Sequence, residues 1–208
     1  MKSYGKFTAG LLVAWFLFAL SASAAHWFQN DANRFGVQVA LAALLPILIF
    51  AVWIAASRTF RQFALSLSPS PLTLAQTWRI MGFTFVLLEA HRLLPTIFAL
   101  PAGYGDMFIG ATATLVALKL ATPAHRARFI LWQVLGITDL VVAVSLGTTA
   151  PLISPGVSMA PMTQLPLSLV PTFLVPLFLI FHVISIAQAR AWKSASGRAW
   201  EEARPIPG

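Results

Sequence analysis

Long, uninterrupted apolar runs dominate this chain and predict its architecture. A membrane-spanning helix needs about 20 predominantly apolar residues. Six segments meet that requirement, namely 7–25, 36–56, 77–98, 104–121, 128–147 and 167–189. Because backbone N–H and C=O groups in lipid must be hydrogen-bonded within the protein, these segments are predicted to be helices rather than open strands. The pattern therefore predicts an all-α, polytopic transmembrane helical bundle.

The loops between the six predicted spans alternate between the two membrane faces. With the N-terminus inside, the outer loops are 26–35, 99–103 and 148–166, and the inner ones are 57–76, 122–127 and 190–208. Twelve of the fourteen Lys and Arg residues fall in segments assigned to the cytoplasmic side, namely Lys2, Lys6, Arg58, Arg61, Arg79, Lys119, Arg126, Arg128, Arg190, Lys193, Arg198 and Arg204. This is the positive-inside bias. It predicts a multi-pass protein of the bacterial inner (plasma) membrane with both termini cytoplasmic.

The first span also fits a secretory signal peptide. Lys2 and Lys6 precede an apolar run, and Ala22 and Ala24 supply the small residues of a cleavage site. Cleavage of residues 1–24 would leave five spans in the same orientation. The apolar run extends over about nineteen residues, which favours a retained membrane anchor. Retention is therefore the prediction, and cleavage is its alternative.

Composition supports membrane embedding and gives no sign of a second domain. Hydrophobic residues make up 58% of the 208 residues and charged residues only 10%, whereas soluble domains carry about 25% charged residues. The chain is predicted to form one transmembrane helical domain, 1–190, followed by a polar cytoplasmic tail, 191–208. Its predicted surroundings are the lipid bilayer.

The formal charge of +8 does not indicate a nucleic-acid partner. A nucleic-acid-binding surface clusters its basic residues on one folded face with interleaved aromatic residues, whereas here the basic residues are spread thinly over several loops. The chain contains no cysteine. Disulfides, thiolate metal sites and cysteine nucleophiles are therefore excluded.

Ionisable side chains inside a bilayer are costly, so each one raises the question of function. Glu89 and Arg92 lie in the third predicted span and Asp139 in the fifth. At 1.5 Å per residue, Glu89 and Asp139 lie roughly 12–14 Å below the outer surface, and Arg92 lies roughly 8–9 Å below it. These residues are predicted to line an outward-facing polar cavity that binds a cation or carries a proton. A structural ion pair between Glu89 and Arg92, which are three residues apart, is the alternative.

The run LPTIFALPAGYGD, residues 94–106, contains two prolines and two glycines, namely Pro95, Pro101, Gly103 and Gly105. It is predicted to form the tight turn between the third and fourth spans. Asp106 would then open a helix, where a carboxylate caps free amides at the positive end of the dipole; it is also counted among the cavity candidates. Gly110 and Ala111 are predicted to offer a small face for close helix approach.

The histidines do not form a recognisable cofactor site. His91 and His182 lie at depths of roughly 10 and 22 Å, whereas two axial haem ligands must face each other across one iron. No ligand spacing indicates zinc or copper, and no P-loop, HExxH pattern or nucleophile elbow occurs. We predict no metal, no cofactor and no catalytic residue. His91 is counted among the cavity candidates.

At LPTIFALPAGYGD and at LPLSLVPTFLVPLFLIFH, residues 165–182, the chain resembles a family of small, uncharacterised bacterial inner-membrane proteins. The resemblance covers most of residues 78–182. It implies a multispan bacterial membrane protein, and it carries no activity and no site residue with it.

Three functional classes follow from these observations. The first is a small-solute or ion transporter whose acidic residues line the cavity. The second is a structural or regulatory subunit without catalysis, bound to a membrane protein partner or to further copies of itself through small-residue faces. The third, a membrane-embedded enzyme, requires a convergent histidine or carboxylate site that the spacing does not assemble.

Overall fold

The computed structural model describes residues 2–29, 35–153 and 158–192. Within these ranges the chain is helical and contains no strand, which confirms the all-α prediction. The α-helices are α1 (Lys2–Ala24), α2 (Val37–Ala56), α3 (Arg58–Ser66), α4 (Pro69–Leu74), α5 (Phe83–Ala90), α6 (Thr96–Leu115), α7 (Arg126–Ile153) and α8 (Val175–Ala191). Between them lie the 3₁₀ segments Ala75–Gly82, Pro123–His125 and Ala160–Thr163, and the π segments Val116–Leu120 and Val170–Leu174.

Four of the described helical segments are long and apolar enough to cross a membrane: Tyr4–Ala24, Val37–Ala56, Pro123–Ile153 and Val170–Ala191. They correspond to the first, second, fifth and sixth predicted spans. The chain is thus a helical protein with several apolar helices of membrane-spanning length. Six crossings are not established by these four helices.

The third predicted span, 77–98, is not one helix. The 3₁₀ segment Ala75–Gly82 leads into α5, and α5 ends at Ala90. The chain then turns before α6 begins at Thr96. The division falls where a positive backbone φ at Arg92 ends the helix.

The predicted turn at 99–103 is wrong, because these residues lie inside α6. Pro101 is accommodated within the helix, where a proline removes one intrahelical hydrogen bond. The fourth predicted span, 104–121, therefore begins eight residues late. Asp106 lies ten residues into α6, or about 15 Å along its axis, so it does not open a helix.

The predicted outer loop 148–166 also begins too early, since α7 continues to Ile153. Farther along, Met159 and Met162 are buried against Phe85 and Phe98 of α5 and α6. An uncharged segment of this kind stabilises the bundle by burying its apolar side chains.

Two hydrophobic cores lie one above the other along α6. Phe98, Ala99 and Ala102 belong to the first. Ile109 and Ala113 belong to the second, together with Phe129 and Trp132 of α7. Asp106 lies between the two cores along the helix, and the polar site described below is built at that level.

Several predictions fall on residues outside the described ranges. They concern most of the predicted cytoplasmic tail, 193–208; the side chain of Lys2 is not described either.

Candidate functional site: a buried arginine with two carboxylates

Arg79 is the centre of a polar site inside the helical bundle, with 3% of its surface exposed. Its Nε donates to Oδ1 of Asp106 at 2.6 Å, and its Nη2 donates to Oδ2 of Asp139. Its Nη1 donates to the carbonyl oxygen of Gly136 at 3.3 Å and to Nε2 of His182 at 3.2 Å. Arg79, Asp106, Asp139 and His182 are called the arginine cluster below.

A chain of hydrogen bonds continues from the cluster into the bundle. Since an arginine is only a donor, Nε2 of His182 must accept, and the proton of the neutral imidazole is assigned to Nδ1. Nδ1 of His182 then donates to Oε1 of Gln133. The amide nitrogen of Gln133 donates to Oγ1 of Thr73 at 3.0 Å. His182, Gln133 and Thr73 are all buried, so this series of hydrogen bonds is shielded from the molecular surface.

The 3₁₀ segment explains how Arg79 reaches the interior. A 3₁₀ helix has three residues per turn, so residues three apart lie above one another. Gln76, Arg79 and Gly82 are the buried residues of this segment, and they share that face. Runs of 3₁₀ helix longer than about four residues are uncommon, whereas this one covers eight residues.

Glycines allow the cluster's elements to approach closely. A Cβ atom at Gly105 would collide with the carboxylate of Asp139, and one at Gly136 would collide with the ring of His182. A Cβ at Gly110 would collide with the backbone of Arg79 and Ile80. The prediction that Gly110 permits close helix approach is confirmed, whereas the neighbouring Ala111 is exposed.

Asp106 and Asp139, two of the predicted cavity residues, meet at the same guanidinium. Each carboxylate-bearing side chain is 14% exposed, against 2% for that of Arg79. The carboxylates therefore form the accessible edge of the cluster and the arginine forms its interior. The Thr138 hydroxyl donates to the carbonyl oxygen of Val134, so it does not cap the neighbouring Asp139.

Glu89 and His91 do not join the cluster. The Glu89 carboxylate accepts a hydrogen bond from Oγ1 of Thr96 at 2.7 Å. His91 is exposed, and its Nδ1 lies 2.8 Å from the carbonyl oxygen of Leu87 in the preceding turn. Their contacts are local to the turn between α5 and α6, and their predicted role in ion binding is untested.

Arg92 ends α5, and the proposed ion pair with Glu89 is not formed. The N–H of Leu93 donates to the carbonyl of Leu88, and that of Arg92 donates to the carbonyl of Glu89. These are the two bonds of a Schellman motif, which places its C′ residue in the left-handed region; Arg92 has φ 60°. Because the helix has ended, the spacing of three residues no longer brings the two side chains together.

Arg79 and His182 were not among the predicted site residues. The distribution of basic residues assigns Arg79 to the cytoplasmic side, whereas the structure buries it. For His182, the sequence raises only the question of a metal or haem ligand. A signal for both was present in the sequence: polar or small residues recur every third position in otherwise apolar runs, at Thr73, Gln76, Arg79 and Gly82, at Gln133, Gly136 and Asp139, and at His182, Ser185 and Gln188.

The described part of the chain has no group of three or more histidine, aspartate or glutamate side chains arranged to hold a metal ion. In the arginine cluster, the space between the carboxylates and the imidazole is filled by the guanidinium of Arg79. The cation at the centre of the cluster is therefore the side chain of Arg79 itself.

A family model described as "Domain of unknown function (DUF8737)" matches residues 34–190. The chain belongs to this family. All four residues of the arginine cluster lie within the DUF8737 domain, whereas α1 precedes it. No curated protein and no solved structure shows significant similarity to the chain. The family therefore gives the domain its boundaries, and any function must be argued from the site.

Proposed function

We propose that this DUF8737 protein is a proton-coupled membrane transporter of a small solute or ion, in which the arginine cluster binds and releases the proton. One observation carries the proposal. Two carboxylates, Asp106 and Asp139, converge on a single buried guanidinium between apolar helices. Ionisable groups placed in this way are costly and commonly mark ion and proton pathways in membrane proteins.

Charge in the cluster supports a proton as its second cation. Arg79 supplies one positive charge and the two aspartates supply two negative ones, while His182 is neutral in its hydrogen-bonded form. The cluster thus carries one excess negative charge among the described residues. In a low-dielectric interior that charge is stabilised by one more positive partner. A proton bound to a carboxylate oxygen neutralises the cluster.

The accessible edge gives this proton a place to enter. The side chains of Asp106 and Asp139 are partly exposed, whereas His182 has already committed both ring nitrogens to hydrogen bonds. Protonation of Asp139 would weaken its charge-assisted bond with Nη2 of Arg79. The released guanidinium nitrogen could then change partner, which would couple the proton to a movement of the 3₁₀ segment.

The membrane topology is part of the proposal. Arg79 joins Asp106 of α6 to Asp139 of α7 and His182 of α8, and α7 and α8 belong to two of the apolar segments of spanning length. This supports α6, and the 3₁₀ segment with α5, as two further crossings, giving six in a single transmembrane domain, 1–190. The excess of Lys and Arg in the remaining inner loops supports cytoplasmic termini in a bacterial inner membrane.

Proton flux into liposomes tests the proposed function. Purified protein is reconstituted into liposomes that enclose a pH-sensitive dye. The decay of an imposed proton gradient is then followed with and without a panel of amino acids, sugars and organic acids. Wild type is compared with Asp139→Asn. Glu89→Gln is the matched control, since it neutralises an acid of the same chain outside the cluster. We expect flux in the wild type and the control, and its loss in folded Asp139→Asn. Equal flux in all three would contradict the role of the cluster.

A structural or regulatory subunit is the second candidate, and one observation favours it. All three guanidinium nitrogens of Arg79 have partners, so the residue could simply hold the 3₁₀ segment, α6, α7 and α8 together. This candidate predicts no flux in wild type, Asp139→Asn or Glu89→Gln, all folded. It also predicts that a larger membrane protein, or a further copy of this chain, copurifies with the wild type and with Asp139→Asn.

A further inference from the structure

The helical bundle contains a second feature, an apolar cavity of about 590 Å³ between α1, α2, α3 and α8, and no residue of the arginine cluster lines it. Trp15 of α1, Pro46 and Trp53 of α2, and Phe60 of α3 are among its lining residues. Its volume lies within the roughly 300–1,000 Å³ that small-molecule sites occupy. Because α1, α2 and α8 have the length and composition of membrane-spanning helices, the molecules available to fill the cavity include the acyl chains of lipids.

One end of the cavity is flanked by positive charge. Gly5 and Thr8 line it from the first turns of α1, with the exposed Lys6 between them. Helix α3 is amphipathic: it directs Phe60 into the cavity, while Arg58 and Arg61, three residues apart on its other face, are exposed. Basic residues beside an interfacial amphipathic helix attract anionic lipid headgroups.

A polar group lies between this charged end and the apolar interior. Oγ1 of Thr8 is buried and has no hydrogen-bond partner among the described residues, and Thr8 lines the cavity. A buried hydroxyl without a partner is costly and is normally satisfied. The order along α1 is therefore a cation at Lys6, a hydrogen-bond donor at Thr8 and an aromatic wall at Trp15. A phospholipid presents a phosphate, an ester carbonyl and an acyl chain in the same order.

From this order we propose that the cavity binds one anionic phospholipid. Its acyl chain fills the space between α1, α2 and α8, its ester carbonyl accepts a hydrogen bond from Thr8, and its phosphate lies near Lys6, Arg58 and Arg61. The site is separate from the arginine cluster, so it can be present whether or not the protein carries protons. The lipid would attach α1 to the DUF8737 domain, which begins after that helix.

Native mass spectrometry of the full-length protein in detergent tests this site. The probes are dioleoyl phosphatidylglycerol and dioleoyl phosphatidylcholine, which share their acyl chains and differ in headgroup charge. We expect one phosphatidylglycerol per chain, bound more tightly than phosphatidylcholine. Arg58→Gln with Arg61→Gln should weaken phosphatidylglycerol binding by about thirtyfold, the effect of removing two basic contacts at a membrane surface. Arg128→Gln is the control, since Arg128 is an exposed arginine at the start of another helix.

Two further variants test the interior of the cavity. Thr8→Val keeps the shape of the side chain and removes the donor, and should weaken both lipids by about fivefold. Ala42→Phe fills the cavity from α2, and should abolish the adduct, whereas the exposed Leu44→Phe on the same helix should not. Equal binding of the two lipids, or phosphatidylglycerol binding unchanged in the double arginine variant and in Thr8→Val, would overturn the proposal. A lipid-free dimer that Ala42→Phe converts to monomer would assign the cavity to a second copy and overturn it too.

Discussion

Nε of Arg79 lies 2.6 Å from Oδ1 of Asp106, although the two residues are 27 positions apart and belong to different helices. The contact joins the 3₁₀ segment to the middle of α6 at a level between two hydrophobic cores. A bidentate-capable cation such as arginine suits this position because it can hold two carboxylates and a carbonyl at once.

Replacing Arg79 by Gln should destabilise the protein strongly. The variant leaves Asp106 and Asp139 without their cation, and breaking a buried ion pair by removing one partner costs about 3–5 kcal/mol. Unfolding by sodium dodecyl sulfate in mixed micelles, followed by circular dichroism, measures the change. Arg190→Gln, at the exposed end of α8, serves as the control and should change the free energy of unfolding by no more than about 0.5 kcal/mol. A similar small effect at Arg79 would show that the cluster contributes little to folding.

Neutralising the two aspartates should be non-additive. Asp106→Asn or Asp139→Asn alone removes the excess negative charge and leaves one aspartate to balance Arg79, so each single variant should lose about 1 kcal/mol or less, near the net value of one hydrogen bond. The double variant leaves a buried guanidinium without a counter-ion and should lose about 3–5 kcal/mol. The same unfolding assay completes the double-mutant cycle. Additive losses would contradict the shared role of Arg79.

Gly105→Ala should destabilise the protein, because it adds a methyl group next to the arginine cluster. The new Cβ would occupy the space of the Asp139 carboxylate, and overpacking of this kind costs about 1–3 kcal/mol. Gly10→Ala is the matched control, because a Cβ there meets no atom within 4 Å. It should be neutral or slightly stabilising, since alanine favours a helix more than glycine does. Thermal unfolding in detergent would separate the two, and equal midpoints would contradict the close approach at Gly105.

Arg92→Gly should have the opposite sign to Arg79→Gln. Arg92 holds a φ of 60° at the end of α5, a conformation that costs an L-residue about 1–2 kcal/mol and glycine almost nothing. Since Arg92 is exposed, little packing is lost, and we expect a gain of about 1 kcal/mol in the free energy of unfolding. Arg92→Ala is the control, because it removes the same side chain and keeps the strain. A loss of stability in both variants would indicate that the Arg92 side chain itself holds the turn.

The residues of the site differ in how well the sequence predicts them. Asp106 and Asp139 were identifiable from the sequence because an acid in an apolar run is costly wherever the helix begins. The sequence does not show that the two carboxylates lie at the same level of the bundle, because the level of Asp106 depends on where α6 begins. Pro101 and Gly103 resemble a turn, yet they lie within the helix, because packing against neighbouring elements outweighed their weak local preferences.

Arg79 was misassigned for a related reason. It lies close to the start of an apolar run, where a basic residue ordinarily marks the cytoplasmic end of a span. A standard α-helical spacing gives no reason to bury it. The 3₁₀ backbone aligns Gln76, Arg79 and Gly82 on one buried face, and only the recurrence of polar or small residues every third position hints at that geometry.

The separations along the chain within the arginine cluster have a consequence for synthesis. Asp106, Asp139 and His182 follow Arg79 in the sequence by 27, 60 and 103 residues, so all three are synthesised after it. The growing chain must therefore hold a cation without its partners while the later helices are translated. An unpaired guanidinium is far less costly at the lipid headgroups than in the hydrocarbon. On the membrane topology proposed above, the 3₁₀ segment is therefore expected to stay at the membrane surface until α8 has been made and only then to enter the bundle, so that insertion finishes with the middle of the chain rather than with its C-terminal end.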